Sequence, residues 1–415
     1  MAGLKQFPSM PVRRIGEVAV IQIFSYAFPL LALPVLSRML GIAEFGTLFW
    51  HLSAVGLVGV LSNFAFDWSG TRALVQKSTD AERIEHLKHI LWAKLALAMF
   101  GILGLLALGV SGWVALDPLL STLLAFEVLV GSIVPTLYFL ATAQTSRSVL
   151  FQLIGRSVLF LGVFTAFTFD LPIAAWHYAA LMVLSQCTIL VLSLRLIPEL
   201  TNDLRPDWTE SVRAVRDGLP MFATFSLTQV YTTGNVLFVA FLAGDAEAGR
   251  FSAAAKLMGV ATQLLVGSAS LVMFPGAVHA AQRQDQRSVI RPNLRFVLGG
   301  GILLALGFGL LGSHLVAWFF GSEYRISTLA AAALGCLGIL VGVSNTFGTQ
   351  GLVASGREGT MGGILALGAG VAATGHILLI PQFGAEGGIY AWILAEAFVA
   401  FSAVFAYRRL QRRVA

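Results

Sequence analysis

Five ionisable residues of this chain stand inside long apolar runs: Lys94, Glu127, Arg156, Lys256 and Glu396. Three more, Arg38, Arg72 and Arg250, stand where such runs end. A charge at the centre of a membrane helix costs about 2.5–3.5 kcal/mol on insertion scales, so each is by default a functional candidate. The chemistry open to them is ion binding. A buried cation holds an anion or pairs with a carboxylate, and a buried carboxylate takes up a proton or a sodium ion. Lys256 has both readings, with Glu127 and Glu396 as the partners an ion pair would use. Arg38 and Arg250 either bind an anion or carry their charge to the interface on a long apolar stem. Lys94, Glu127 and Arg156 all belong to the first half of the chain, where they form one structural network or a proton or sodium site. Arg72 and Asp67 form either a gate or a solvated pair.

Residue patterns for covalent chemistry are missing. There is no Gly-x-x-x-x-Gly-Lys-Ser/Thr loop to cradle a nucleotide, and no Gly-x-Ser-x-Gly elbow. His86 and His89 are three apart but belong to a charged surface helix rather than to a metal-ligand cluster. Cys187 and Cys336 both lie in apolar segments, so no disulfide framework is implied. The reading is a protein that is not an enzyme, with no cofactor and no metal.

The elements that position these residues are membrane helices. The chain is 57% hydrophobic and 12% charged, against about 25% charged in soluble domains. Twelve apolar stretches are long enough to cross a bilayer, and backbone groups in hydrocarbon must be satisfied internally, which makes them helices. The spans run over residues 15–37, 47–66, 87–110, 115–141, 149–168 and 174–196, then 218–242, 249–274, 296–320, 327–352, 359–380 and 387–407. The first run is too long for the apolar core of a cleaved leader and reads as a span. Of the 27 basic residues, 21 fall in alternate connections and at the two ends, whereas the intervening connections hold only Arg38, Arg250 and Arg325. Short loops rich in Lys and Arg stay cytoplasmic, so both termini are expected there. The net charge of +6 is then the positive-inside excess and no sign of nucleic-acid binding. Membrane lipids are the expected surroundings. Thr79-Asp80-Ala81-Glu82 reads as a capping box, so the third helix starts outside the membrane with an amphipathic turn.

Leu40-Gly41-Ile42-Ala43-Glu44-Phe45-Gly46 and Ala243-Gly244-Asp245-Ala246-Glu247-Ala248-Gly249 share the pattern Gly-x-Ala-Glu-x-Gly. Their offset of 203 residues is close to half the chain, and six spans per half would make such a repeat parallel. Residues 1–200 and 218–415 are the expected halves, with 201–217 as a linker. Two polar stripes stand out, one of Thr228, Gln229, Tyr231, Thr232, Thr233 and Asn235, the other of Asn345, Thr346, Thr349 and Gln350. The first reads as a cavity wall or a set of interhelical hydrogen bonds. Pro29, Pro34, Pro135, Pro220 and Pro275 are expected to bend their helices.

The run Pro34-Val35-Leu36-Ser37-Arg38-Met39-Leu40-Gly41, followed by Glu44-Phe45-Gly46, resembles the polysaccharide-exporter branch of the multidrug/oligosaccharidyl-lipid/polysaccharide flippase superfamily, which contains the O-antigen flippases. Gly70-Thr71-Arg72, Tyr231-Thr232-Thr233-Gly234-Asn235, Gly249-x-Phe251-x-Ala253-Ala254-x-Lys256, Phe274-Pro275 and Phe383-Gly384-Ala385-Glu386-Gly387-Gly388 are similar to that branch in order along the chain. The resemblance implies two six-helix lobes around a central cavity in the inner membrane. It also implies export of an undecaprenyl-diphosphate-linked glycan for surface polysaccharide, beside the polysaccharide polymerase machinery. On that reading Lys256, Arg38 and Arg250 hold the diphosphate, since Arg offers a bidentate fork and Lys a point charge. Tyr231 and Asn235 face the sugar, and Glu127, Arg156, Lys94 and Arg72 serve coupling to H+ or Na+, or gating. The alternative is a cation-coupled multidrug antiporter of the same superfamily, disfavoured because buried base exceeds buried acid. A membrane glycosyltransferase or polymerase would carry a large outward loop, which this chain lacks.

Overall fold

The computed structural model describes residues 12–414 apart from 113, 203–204, 268, 271–272, 274–276, 278–279, 281–282 and 284–285. Side chains of residues 12–29, of several positions from 220 to 231 and of 413–414 lie outside the description as well. All described elements are helical. The first half holds α1 (Val12–Asn63), α2 (Phe66–Val75), α3 (Asp80–Val110), α4 (Pro118–Ser132), α5 (Thr136–Ala141), α6 (Thr145–Thr168) and α7 (Ala175–Arg195). The second holds α8 (Trp208–Ala243), α9 (Asp245–Thr262), α10 (Arg287–Phe320), α11 (Thr328–Gly335), α12 (Leu337–Ser344), α13 (Glu358–Phe383) and α14 (Ala385–Val414). Nine helical stretches among the described residues are long and apolar enough to cross a membrane, so this is a multi-pass membrane protein. That count joins the first two expected spans into Leu30–Val75 and passes over α8 and α9, where only Thr232–Ala243 forms a shorter apolar stretch.

The break in α1 falls at Gly41 (φ 72°, ψ 170°), not at Pro29 or Pro34, through which the helix continues. An L side chain is strained at that φ, so glycine is required. Gly244 adopts nearly the same conformation (φ 87°, ψ 175°) between α8 and α9. The two copies of the repeated element thus share a backbone, and they share a task. Glu44 Oε1 accepts from the Ala175 N–H that opens α7 (2.7 Å), and Glu247 Oε2 accepts from the Ala385 N–H that opens α14 (2.8 Å). A carboxylate at a helix N-terminus satisfies an orphan donor and complements the helix dipole. Pro135 does end a helix, separating α4 from α5. At the start of α3, Thr79 accepts from the Glu82 N–H (3.2 Å), while the Glu82 carboxylate reaches the Ser78 N–H (3.0 Å). The capping box therefore closes one residue earlier than expected.

Loss of the Glu247 carboxylate should be felt as stability. A hydrogen bond to a charged group contributes about 1.5–3 kcal/mol, so Glu247→Ala is expected to lower the apparent melting temperature of the purified protein by several degrees. Glu44→Ala should do the same if the elements are equivalent. An unchanged thermal transition in both variants would remove the capping role.

Candidate functional site

The three arginines of the Arg-poor connections meet at one end of the molecule, and there the two halves of the chain close on each other. Helix α1 packs along α9 and α8. A Cβ placed on Gly46 would lie 1.7 Å from the Asp245 carbonyl oxygen, and one on Gly249 would lie 2.3 Å from that of Ile42. The repeated elements are thus pressed together backbone to backbone, and only glycine leaves the room. Thr47 donates to Asp245 Oδ2 (2.7 Å). Ser37 Oγ donates to the Phe320 carbonyl (2.9 Å), and the Tyr324 hydroxyl donates to the Ser37 carbonyl (3.2 Å). Phe45, fully buried, packs edge-on to Tyr324 with ring centroids 5.4 Å apart.

Arg38 and Arg250 belong to this closure. Arg38 Nη2 donates to the Trp318 carbonyl (3.0 Å) near the C-terminus of α10, where unsatisfied carbonyls and the helix dipole favour a cation. Arg250 donates through Nε to the Glu323 carbonyl (3.3 Å) and forms a close ion pair with Glu247. Both guanidinium groups are occupied in this conformation: Arg38 ties the first half to the second, and Arg250 joins two elements of the second half.

Lys256 lies six residues beyond Arg250 on α9, about 9 Å along the helix axis, and differs from it. Its side chain is exposed, and Nζ lies 5.5 Å from the centroid of the Phe49 ring of α1. No carboxylate among the described residues lies within 4.0 Å of it, so the expected ion pair with Glu127 or Glu396 does not form. A cation–π contact contributes about 0.5–2 kcal/mol, which leaves the charge available to an anion on the seam between α1 and α9.

Less than one turn further along α9, at Gly259, begins a cavity of about 620 Å³ that both halves of the chain line. Its walls carry the amides of Asn63, Gln229, Gln263 and Asn345 and the rings of Trp68, Phe222 and Trp392. Thr262, only 7% exposed, lines it with a hydroxyl that has no hydrogen-bond partner among the described residues. Two π-helical turns, Gln263–Gly267 and Asn345–Leu352, place Gln263 and Asn345 here, and Asn345 Nδ2 donates to the oxygen Oγ of Ser270, three residues beyond the first turn (3.2 Å). Such turns recur at functional sites because they rotate side chains out of helical register. The two expected polar stripes converge in this cavity through Gln229, Thr232, Asn345 and Thr349. Asn235 does not line it: it is 2% exposed, and neither amide atom has a partner among the described residues. The Tyr231 side chain lies outside the described ones, as do Phe274 and Pro275. Asp67 and Glu396 are the charged residues of the lining, with no Lys or Arg among the described residues that form it.

A second cavity, of about 360 Å³, lies within the first half and is lined by Lys94 and Glu127 together with Ser62, Asn63 and Ser132. Lys94 is 8% exposed. It and Glu127 share the space without an ion pair between them, and Arg156, half-buried on α6, is not part of the lining. Arg72 is exposed on α2, and Asp67 accepts from Asn63 Nδ2 (2.7 Å) instead of meeting Arg72. Among the described residues no three His, Cys, Asp or Glu side chains come together as a metal site. His89 instead shares Glu85 with Lys88 on the surface of α3.

The sequence reading missed Ser37, Thr47 and Asp245, the hydrogen-bonding core of the closure, and His376. The last is fully buried on α13 against Phe238, with Nε2 unpartnered among the described residues. Asp245 and Ser37 carried one available signal, the first its place inside the repeated Gly-x-Ala-Glu-x-Gly element and the second its place four residues before the other copy.

A family model described as polysaccharide biosynthesis protein matches residues 12–280. A candidate O-antigen transporter of Shigella dysenteriae is 24% identical over 391 residues, covering 90% of this chain and 94% of its own. Another, from Escherichia coli (strain K12), is 23% identical over 357 residues, covering 81% and 82%. Among solved structures, the lipid II flippase MurJ in an inward closed conformation superposes with a TM-score of 0.69 at 14% identity, over 94% of this chain and 87% of its own. An inward-facing multidrug resistance MATE family transporter of the MOP superfamily gives 0.66 at 14% identity, over 92% and 98%.

Proposed function

This chain belongs to the polysaccharide biosynthesis protein family, and from that premise we propose that it flips an undecaprenyl-diphosphate-linked oligosaccharide across the bacterial inner membrane. It works by alternating access between two lobes of six spans each, residues 1–200 and 218–415. The observation that carries the reading is Lys256, a cation exposed on the seam between the chain halves, beside a cavity walled by amides and aromatic rings. A lipid-linked oligosaccharide presents a diphosphate for the first and hydroxyls and ring faces for the second. The positive-inside rule puts the arginine-rich end and both termini in the cytoplasm. In this reading the closed end is periplasmic and the carrier faces inward, with Arg38, Ser37, Gly46 and Arg250 in its outer gate. The names of the two relatives, both candidate O-antigen transporters, support the substrate class.

The multidrug antiporter reading has one observation in its favour. The excess of buried base that counted against it is not in the cavity, whose lining is acidic. Against it stand the family and the relatives, and a wall of neutral amides that suits hydroxyl groups better than an apolar drug. Purified protein in liposomes with a fluorescent undecaprenyl-diphosphate oligosaccharide separates the two. Accelerated access of an impermeant glycosidase to the inner-leaflet substrate is the expected result, and dye efflux without it would move the protein to the antiporters.

The second cavity supplies the coupling site in this reading. A carboxylate and an ammonium that share a buried space without pairing can exchange a proton or admit a cation. Glu127→Gln is expected to abolish any stimulation of flipping by a proton or sodium gradient, leaving the gradient-independent rate. Wild-type flipping indifferent to both gradients would end the coupling role.

A further inference from the structure

At the closed end one imidazole ring ties three elements together. His51, on α1 and only 1% exposed, has both ring nitrogens bonded to backbone groups. Nδ1 lies 2.7 Å from the Thr47 carbonyl oxygen, which can only accept. Nε2 lies 3.0 Å from the Asp117 amide nitrogen, which can only donate. One form of the ring satisfies both partners, the neutral tautomer with its proton on Nδ1. These partners reach into both halves of the chain. The Thr47 hydroxyl donates to Asp245 Oδ2 at the start of α9, and the Asp117 side chain caps α4 by accepting from the Leu120 N–H (2.8 Å). A chain of hydrogen bonds therefore runs from α9 through α1 to the N-terminus of α4, the helix that carries Glu127.

A proton on Nε2 is incompatible with that arrangement, because it would set the ring N–H against the Asp117 N–H, donor facing donor. The charged groups acting on His51 among the described residues are the carboxylates of Asp117 and Asp245. The other charges within the helices packed on α1, namely Lys94, Glu127, Arg156 and Lys256, are not among them. Trp50 lies against the ring, with centroids 3.6 Å apart. Two carboxylates and an indole favour an imidazolium, so burial does not lock the ring neutral. Asp117 itself is exposed, which gives a proton a route in. Resting on the flippase reading, which puts this end in the periplasm, we propose that His51 is a positioning residue of the transport cycle. Neutral, it holds α4 against α1 with the outer end closed. Protonated from the periplasm, it exchanges the Asp117 N–H for the Asp117 carboxylate, uncaps α4 and lets the outer end open. The closing contribution is present while the ring is neutral, and it is lost as the periplasmic pH falls through the histidine range near about 6.5.

The test uses full-length protein in lipid nanodiscs without substrate, with spin labels on cysteines at Leu119 and Leu329, exposed residues at the starts of α4 and α11. Cys187 and Cys336 are replaced by serine. Distances are measured by pulsed electron resonance at about pH 8 and about pH 5, on either side of histidine titration. The wild type is expected to hold one distance at the higher pH. At the lower pH a longer one should gain about fivefold in population, the factor that one hydrogen bond supplies. His51→Gln, whose amide oxygen can accept from the Asp117 N–H at any pH, should keep the shorter distance at both. An unchanged wild-type distribution, or the same shift in His51→Gln, would overturn the proposal. If His51→Gln does not assemble, Asp117→Asn takes its place, since it keeps a cap but removes a charge that stabilises the imidazolium. Its midpoint must then move to lower pH, and an unmoved midpoint overturns the proposal. Flipping of a lipid-linked oligosaccharide is followed on the same protein in liposomes. A pH-driven opening that depends on His51, in a protein that flips nothing, leaves the switch standing and removes the flippase reading.

Discussion

Lys256→Glu is expected to abolish flipping of the diphosphate-linked substrate, by three orders of magnitude or more, while leaving membrane insertion intact. Two opposite charges about 4 Å apart near a protein surface attract by about 4 kcal/mol, and reversing one of them turns that attraction into repulsion. A factor of ten in rate corresponds to about 1.4 kcal/mol, so three decades follow from the lost attraction alone. Insertion should survive because the Lys256 side chain is exposed and has no ion pair within 4.0 Å among the described residues to break. Its one named contact is the ring of Phe49 at 5.5 Å. Lys256→Arg, which keeps the charge, should retain most of the rate, and Lys256→Met should fall between. The glycosidase-access assay in liposomes reads all three. A Lys256→Glu protein that flips at the wild-type rate would place the diphosphate elsewhere.

The second large effect is expected at Gly46. Its missing side chain is what allows α1 and α9 to meet, since a Cβ would stand 1.7 Å from the Asp245 oxygen and 2.8 Å from the Gly249 nitrogen. Both are backbone atoms at the start of α9, which cannot retreat without losing the turn at Gly244. Gly46→Leu should therefore hold this end open. Overpacking costs about 1–3 kcal/mol where the surroundings can shift, and a two-state equilibrium moves up to about 150-fold for that energy. Flipping should drop at least tenfold. The gate itself can be read with a cysteine at Thr47, whose hydroxyl lies 2.7 Å from Asp245 in the closed end, after Cys187 and Cys336 are replaced by serine. An impermeant maleimide added from the periplasmic face should label that thiol rapidly in the Gly46→Leu background and slowly without it. Equal labelling with normal flipping would show that closure does not pass through these glycines.

The apolar runs and the start of α3 were legible in the sequence, because each is a local property. Hydropathy needs only neighbouring residues and a cap needs side chains within one turn, whereas the break of α1 at Gly41, expected at Pro29 and Pro34, was not legible. The charge pattern of the connections likewise matched a physical grouping, since Arg38, Arg250 and Arg325 do meet at one end. What a charged side chain faces once its helix is packed was not legible. Lys94, Lys256 and Glu396 read alike as charges in apolar helices, yet one shares a small cavity with Glu127, one is exposed on a seam and one lines the larger cavity. That outcome depends on the rotation of each helix and on partners up to some 280 residues away, as with Arg38 and Trp318. The repeated Gly-x-Ala-Glu-x-Gly element shows both sides of the division. Its glycines and glutamates were determined by the sequence, whereas their mutual packing exists only in the tertiary structure, because contact between two backbones is a property of the pair.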